Sequence, residues 1–374
     1  MDDHLSFAPL QDGDLSVVPT RYWHALDDGR IQCDACPRFC RLREGQRGLC
    51  FVRARQGDQV VLTSYGRSSG FCIDPIEKKP LNHFLPGSPI LSFGTAGCNL
   101  ACRFCQNWDM SKSREMDTLM DRASPELLAR AAARLGCRSV AFTYNDPTVF
   151  LEYAVDTAQA CHELGIRAVA VTAGYICAEP RRDLYRYIDA ANVDLKAFTE
   201  AFYRKVCGGE LQAVLETLEY LHAETQVWLE ITTLLIPGEN DSDREIDALS
   251  SWVVEHLGPD VPLHFTAFHP DWKMLDHPPT PPSTLARARR IALANGARYV
   301  YTGNVRDREG GTTLCAGCGE PVVMRDGYVL DHYNLSDDGR CGDCGTRLPG
   351  VFDGPPGSWG ARRQPVLLGH PAVR

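Results

Sequence analysis

Between about residues 90 and 305 the chain alternates two kinds of apolar pattern. Short runs rich in β-branched and aromatic residues, "ILSFGT", "SVAFTY", "RAVAVT", "NVDLKA", "VWLEITTLL", "LHFTAF" and "RYVYTG", have the length and composition of buried parallel strands. Longer stretches between them carry apolar residues at the spacing of one-sided helices. Two of these helices have readable starts: Ser124 precedes Pro125 and Glu126, and Ser242 stands before Glu245 at capping-box spacing. This alternation predicts an α/β architecture with a parallel sheet. Six βα units and a closing strand fit a partial (β/α)6-type TIM barrel better than the eight-fold form, with the chemistry where strands end and βα loops begin. The proline-rich "DHPPTPPS", Asp276 to Ser283, is expected to be a turn into the last helix, because the alternation resumes after it.

The flanks divide the rest of the chain. Residues 1–89 read as an N-terminal cysteine-rich module and connector, 90–305 as the barrel, and 306–349 as a second cysteine module. Residues 350–374, rich in Gly, Pro and Arg, are expected to form a loosely ordered tail. A chain of 374 residues that is 44% hydrophobic can bury one large core with smaller attachments. Its formal charge of -9, from 48 acidic and 39 basic residues without a long basic run, argues against nucleic acid as a tightly held partner. The start "MDDHLSFAPL" lacks the order of a secretory signal, and no run of about 18 apolar residues occurs, so a cytoplasmic location without membrane contact is expected. Sixteen cysteines in such a chain point to metal ligands rather than disulfides.

Eleven of the cysteines fall into three groups. Cys98, Cys102 and Cys105 lie in "FGTAGCNLACRFCQNW", directly after the first strand run. A four-iron cluster normally takes one cysteine per iron, so three ligands leave one iron open, as a catalytic zinc site keeps an open position. Cys33, Cys36, Cys40 and Cys50 offer four ligands and a closed site, suited to an auxiliary iron–sulfur cluster or to zinc. Cys315, Cys318, Cys341 and Cys344 form two C-x2-C pairs, each followed by glycine in "CAGCGEP" and "CGDCGTR". Glycine permits the tight turn of a zinc knuckle, and this group reads as a zinc-ribbon-like module. The scattered Cys72, Cys137, Cys161, Cys177 and Cys207 read as small buried hydrophobes.

The C-x3-C-x2-C spacing, with Phe104 just before the last cysteine, resembles the signature of the radical S-adenosylmethionine (SAM) enzymes. Over residues 20–350 the stretches "YWHALDDGRIQCDACPRFC", "DPIEKKPLNHFLPGS", "GCNLACRFCQNW", "FTYNDPTVF", "VDLKAF" and "LLIPGENDS" resemble the radical enzyme of the AmmeMemoRadiSam system family, itself similar to pyruvate formate-lyase activating enzymes. The resemblance implies a 4Fe–4S cluster on Cys98, Cys102 and Cys105, with SAM chelating the open iron through its amine and carboxylate. It implies reductive cleavage of SAM to a 5′-deoxyadenosyl radical that abstracts hydrogen from a substrate, an oxidoreductase chemistry. A low-potential donor such as flavodoxin or ferredoxin and a protein substrate, as in glycyl-radical activation, belong to the same expectation.

Carried over by position, the backbone of Phe104 meets adenine. Asn145 and Asp146 in "TYNDP" occupy the segment that binds the cofactor amine, where relatives usually have glutamate. Thr172 lies at the end of the third strand, next to Ala173 where relatives tend to have asparagine. Asp194 and Lys196 end the fourth strand, Lys196 reaching the cofactor carboxylate or pairing with Asp194. His264 and His269 flank the sixth strand and read as structural. From a different class, the alternative is an iron–sulfur and zinc-binding electron-transfer or scaffold protein that does not cleave SAM. The chain has no Walker-type lysine.

Overall fold

The computed structural model describes residues 16–112 and 121–368. Each of the seven apolar runs forms one strand of a parallel array: β1 Pro89–Phe93, β2 Ser139–Phe142, β3 Arg167–Thr172, β4 Ala190–Asp194, β5 Trp228–Leu235, β6 Leu263–Ala267 and β7 Val300–Gly303. They pair in sequence order, and β7 ends the sheet, which therefore stays open on that side. The six connections carry α1 Pro125–Arg134, α2 Leu151–Glu163, α3 Ala178–Tyr185, α4 Leu211–Glu224, α5 Asp243–Leu257 and α6 Pro282–Ala294. Ser124 caps α1 by accepting from the Leu127 amide, and Ser242 caps α5 by accepting from the Glu245 amide. The box at α5 is only half made, since Glu245 accepts instead from the Phe198 amide at 2.8 Å and ties α5 to the loop after β4.

Side chains alternate across each strand. Leu91, Phe93, Val140, Phe142, Val193, Ile231 and Phe265 join the helices in the main core. The opposite face lines the barrel interior, and the "DPIEKKPLNHFLPGS" segment fills its lower half. Ile76, Leu81, Phe84 and Leu85 pack there against Ile90, Ala141, Val169 and Ala190. Two inward polar residues bond to this plug: Asn192 donates to Pro80 O at 2.8 Å, and Glu230 accepts from the amides of Asn82 and His83 at 3.0 and 2.8 Å. His264 contacts Glu230 through Nε2 at 2.6 Å in this bottom layer, the structural role read for it.

Two antiparallel strands extend the sheet beyond β1. Phe71–Pro75 pairs with β1, and Gln364–Val366 pairs with Phe71–Pro75. Residues 350–368 are thus not a loose tail, as composition suggested. The Val351 amide donates to His83 O, those of Gly357 and Trp359 to Pro86 O and Gly87 O, and the final strand covers an edge whose backbone groups would otherwise be unpaired. The rest of that tail lies outside the described residues.

The C-terminal module is a three-stranded antiparallel sheet of Thr313–Leu314, Pro321–Asp326 and Val329–Tyr333 carrying the two cysteine pairs. It is docked under the barrel by Arg325, which donates to Asn82 O at 2.7 Å, and by His83, whose Nδ1–H donates to Pro349 O at 2.7 Å while Nε2 accepts from Tyr301 at 2.6 Å. Burial drives the His83 pKa down to about 4 against the opposing charge of Glu230. The folded protein then binds fewer protons than the unfolded chain between that value and the ordinary one, so stability falls as pH drops through the window. About 2 kcal/mol is expected to be lost between pH 6.5 and 5. Urea midpoints at the two pH values measure it, and His83→Gln is expected to flatten the slope.

Candidate active site

The three cysteines of the β1 loop reach their positions through close backbone approaches. A side chain at Gly94 would meet Thr143 O at 2.3 Å, and one at Gly97, which has φ of +78°, would meet Cys50 O at 1.8 Å. The Asn145 side chain holds the intervening turn: its Oδ1 accepts from the Thr95 amide at 3.0 Å, and its Nδ2 donates to Gly97 O at 2.8 Å. Downstream, the Ala101 and Arg103 amides donate to Cys207 O and Val206 O in a π-helical turn, Tyr203–Cys207, which carries the far side of the loop.

Cys98, Cys102 and Cys105 line a cavity of about 520 Å³ at the C-terminal ends of the strands. Their sulfurs are not gathered within 4.8 Å of one another; among the described residues, that holds only for Cys315, Cys318, Cys341 and Cys344. A multi-iron cluster, with each thiolate on a different metal, requires the wider spacing. The Cys105 thiol contacts Ser111 Oγ at 3.0 Å. A hydrogen bond from Cys207 holds Cys102 down to about 6 despite burial, helped by the charges of Lys196 and Lys112. Burial pushes Cys98 up to about 11.

All six residues assigned to the cofactor by position line this cavity: Phe104, Asn145, Asp146, Thr172, Asp194 and Lys196. Their side chains differ in what they are free to do. Asp146 is committed to structure: Oδ1 accepts from the Thr148 amide at 2.9 Å, and Oδ2 accepts from Thr172 Oγ1 at 2.9 Å and the Ala173 amide at 2.8 Å, which stitches the ends of β2 and β3 together. Asn145 is committed to the cysteine loop. Lys196 stands 2.9 Å from Asp194 and 5.9 Å above the Phe104 ring. Burial opposes its charge, but Asp194 and the thiols of Cys102 and Cys207 outweigh this and hold the ammonium well above its ordinary range. It is a permanent cation at the cavity wall.

Several lining residues escaped the sequence reading. Lys78, Lys79, Tyr328 and Arg363 come to the same cavity from the plug, the C-terminal module and the tail, and meet there Tyr144 of the β2 loop, whose place at a strand end the sequence did show. Asp74 organises three of them, accepting from Lys78, Lys79 and Tyr144 at 2.9, 2.7 and 2.8 Å. Burial lowers Lys79 to about 8. Only the paired lysines of "DPIEKKP" signalled this in the sequence, and nothing there placed them over the barrel. Cys207 carried no signal either. His269 is exposed and contacts only Pro270 O, at 3.5 Å.

Removal of the Asn145 clamp is a test of this construction. Asn145→Ala leaves the Thr95 amide and Gly97 carbonyl without their partner, an expected cost of about 2 to 4 kcal/mol. The urea midpoint should fall accordingly, together with the iron content of anaerobically isolated protein.

At the C-terminal module, Cys315 and Cys344 sulfurs stand 3.5 Å apart and those of Cys318 and Cys341 3.8 Å. These separations match the edges of a sulfur tetrahedron around one metal ion at about 2.3 Å. The glycines after each pair, Gly319 and Gly345, have φ of +80° and +73°, the conformation glycine adopts without cost.

The chain is 38% identical over 328 residues to the uncharacterized protein MJ0808 of Methanocaldococcus jannaschii, an alignment covering 87% of this chain and 97% of that protein. Residues 93–249 match the family model of the radical SAM superfamily. The chain belongs to the radical SAM superfamily. Membership makes it an enzyme and implies an iron–sulfur cluster and SAM. Among solved structures, this radical SAM protein is similar to a radical SAM methyltransferase from Sphaerobacter thermophilus, with 16% identity, 78% of each chain covered and a TM-score of 0.48. It is also similar to a domain of the pyruvate-formate lyase-activating enzyme from Bacteroides vulgatus, with 19% identity, 44% of this chain and 98% of that one covered, and a TM-score of 0.39. Among the described residues, no helix of the radical SAM protein is long and apolar enough to cross a membrane.

Proposed function

We propose that the protein is an oxidoreductase that cleaves SAM reductively at a 4Fe–4S cluster on Cys98, Cys102 and Cys105. The observation that supports this is the shared cavity: three thiols face it together with a fixed cation, and among the described residues no fourth cysteine lines it. When bound, cluster and SAM supply a reducing electron and a carbon radical able to take hydrogen from a substrate. Lys196 would hold the cofactor carboxylate, with Asp194 fixing its position and Phe104 forming the adjoining wall. Asp146 and Asn145 act on the protein itself, holding the strand ends and the cysteine loop.

A protein segment is the substrate that the likeness to glycyl-radical activation suggests, entering past Lys78, Tyr328 and Arg363. A flavodoxin or ferredoxin would deliver the electron. Zinc is the metal we assign to Cys315, Cys318, Cys341 and Cys344, from the tetrahedral sulfur spacing. Incubating reduced protein with SAM is expected to yield 5′-deoxyadenosine and methionine in equal amounts. Turnover no greater than that of free cluster would instead favour the scaffold reading. Deuterium passing from a labelled candidate into 5′-deoxyadenosine identifies the hydrogen donor. Label taken from small molecules and none from protein fractions would overturn the protein substrate.

A further inference from the structure

We propose that Cys33, Cys36, Cys40 and Cys50 hold a second, fully cysteine-ligated iron–sulfur cube, which passes single electrons to the cluster of the barrel. Thiolate chemistry alone leaves zinc and iron–sulfur open, and the geometry separates them. All four cysteines line one small cavity. Four sulfurs at about 2.3 Å from a single zinc ion would stand within about 3.8 Å of one another. Their thiols are not gathered within 4.8 Å of one another, as those of the C-terminal four are. Thiolates that stand back from a common centre suit a cube with one cysteine per iron.

Arg53 gives an independent sign of what the cavity receives. It is 2% exposed and lines the cavity. Its Nη2 donates to Glu152 at 2.6 Å and its Nε to Val149 O at 3.2 Å, but its buried Nη1 has no hydrogen-bond partner. A buried, unpaired guanidinium donor costs stability unless something accepts from it. A cube carrying sulfide and thiolate sulfurs is an acceptor of the right charge, and hydrogen bonds to sulfur raise a cluster's potential.

The same cavity borders the barrel loop. Asn99, the residue after Cys98, forms part of its wall, and Arg38 donates from Nε to Asn99 O at 2.9 Å. Cys50 O lies against Gly97, the residue before Cys98. Bond lengths then keep the Cys50 and Cys98 Cα atoms within roughly 10 Å of each other. A cube with no open iron has no site for substrate, but it can carry charge. One electron from a low-potential donor protein reduces the Cys33–Cys50 cluster, and its reoxidation reduces the barrel cluster.

The test uses full-length protein isolated without oxygen, and none of its readouts requires SAM cleavage. With Cys98, Cys102 and Cys105 all replaced by alanine, about four irons and four sulfides per chain are expected to remain, giving a paramagnetic signal after one-electron reduction. Iron-free protein, with zinc or nothing at the four cysteines, overturns the proposal. Arg53→Lys in the same background keeps the charge but removes the fork donor, and is expected to lower the cluster's midpoint potential. An unchanged potential would remove Arg53 from the site. The relay is read in Cys36→Ala with the barrel ligands intact: photoreduced flavodoxin should reduce the barrel cluster at least several-fold more slowly, while dithionite reduces it at the wild-type rate. Equal rates with flavodoxin overturn the relay.

Discussion

Cys98→Ala, Cys102→Ala or Cys105→Ala is expected to lower SAM cleavage at least about a thousand-fold, equivalent to about 4 kcal/mol on the barrier. Two remaining thiolates hold a four-iron cluster poorly, and one-per-iron ligation leaves no spare ligand. The decisive comparison is Cys207→Ala. Its thiol donates to Cys102 and is buried, but does not line the cavity. If Cys207 were the fourth ligand, its loss would also abolish cleavage and no iron would stay open for SAM. We expect the Cys207→Ala protein to keep its iron and much of its activity. Retained cleavage in any one of the three ligand variants would sink the assignment.

The second large effect lies in the C-terminal module. Cys315→Ala or Cys341→Ala removes a buried ligand and is expected to release one metal ion per chain and unfold the module. Structural zinc is worth about 10–16 kcal/mol in small peptides, more than a module of this size gains from its core. That core is slight: Cys315, Val322, Cys341 and Leu348, with Leu335 and Phe352 against it. Unfolding would also free Arg325 and Pro349 from the barrel floor and Tyr328 from the cavity mouth. Calorimetry should show an early transition that chelator produces in the wild type as well, with cleavage persisting at low temperature. Loss of cleavage with normal melting and metal content would instead place the module in the chemistry.

Legibility in the sequence followed the range of the interactions. Every parallel strand was visible because a strand buried on both faces must be apolar along its length, and such runs stand out locally. The helix starts at Ser124 and Ser242 were visible because a cap is completed within three residues. The cysteine loop was visible because its ligands are close in the chain. The extra edge strands were not: Phe71–Pro75 and Gln364–Val366 are almost three hundred residues apart and pair only because a sheet edge was left open. The tail's Gly, Pro and Arg content pointed the other way.

The same division runs through the site. Residue type and spacing alone put Cys98, Cys102 and Cys105 on one loop, offered Asp194 as one of two partners for Lys196, and gave the C-terminal four cysteines as two glycine-terminated pairs. Which polar atoms remain free was decided only by the tertiary structure. Asp146 and Asn145 were placed correctly at the strand end, yet their hydrogen-bonding capacity is taken by Thr172, Ala173 and the Thr95–Gly97 turn. The plug that carries Lys78 and Lys79 is held in the barrel because Asn192 and Glu230 face inward, where Pro80 O and the Asn82 and His83 amides give them partners. A sequence shows which groups can bond; burial and hydrogen-bond completion, summed over distant segments, choose the partners.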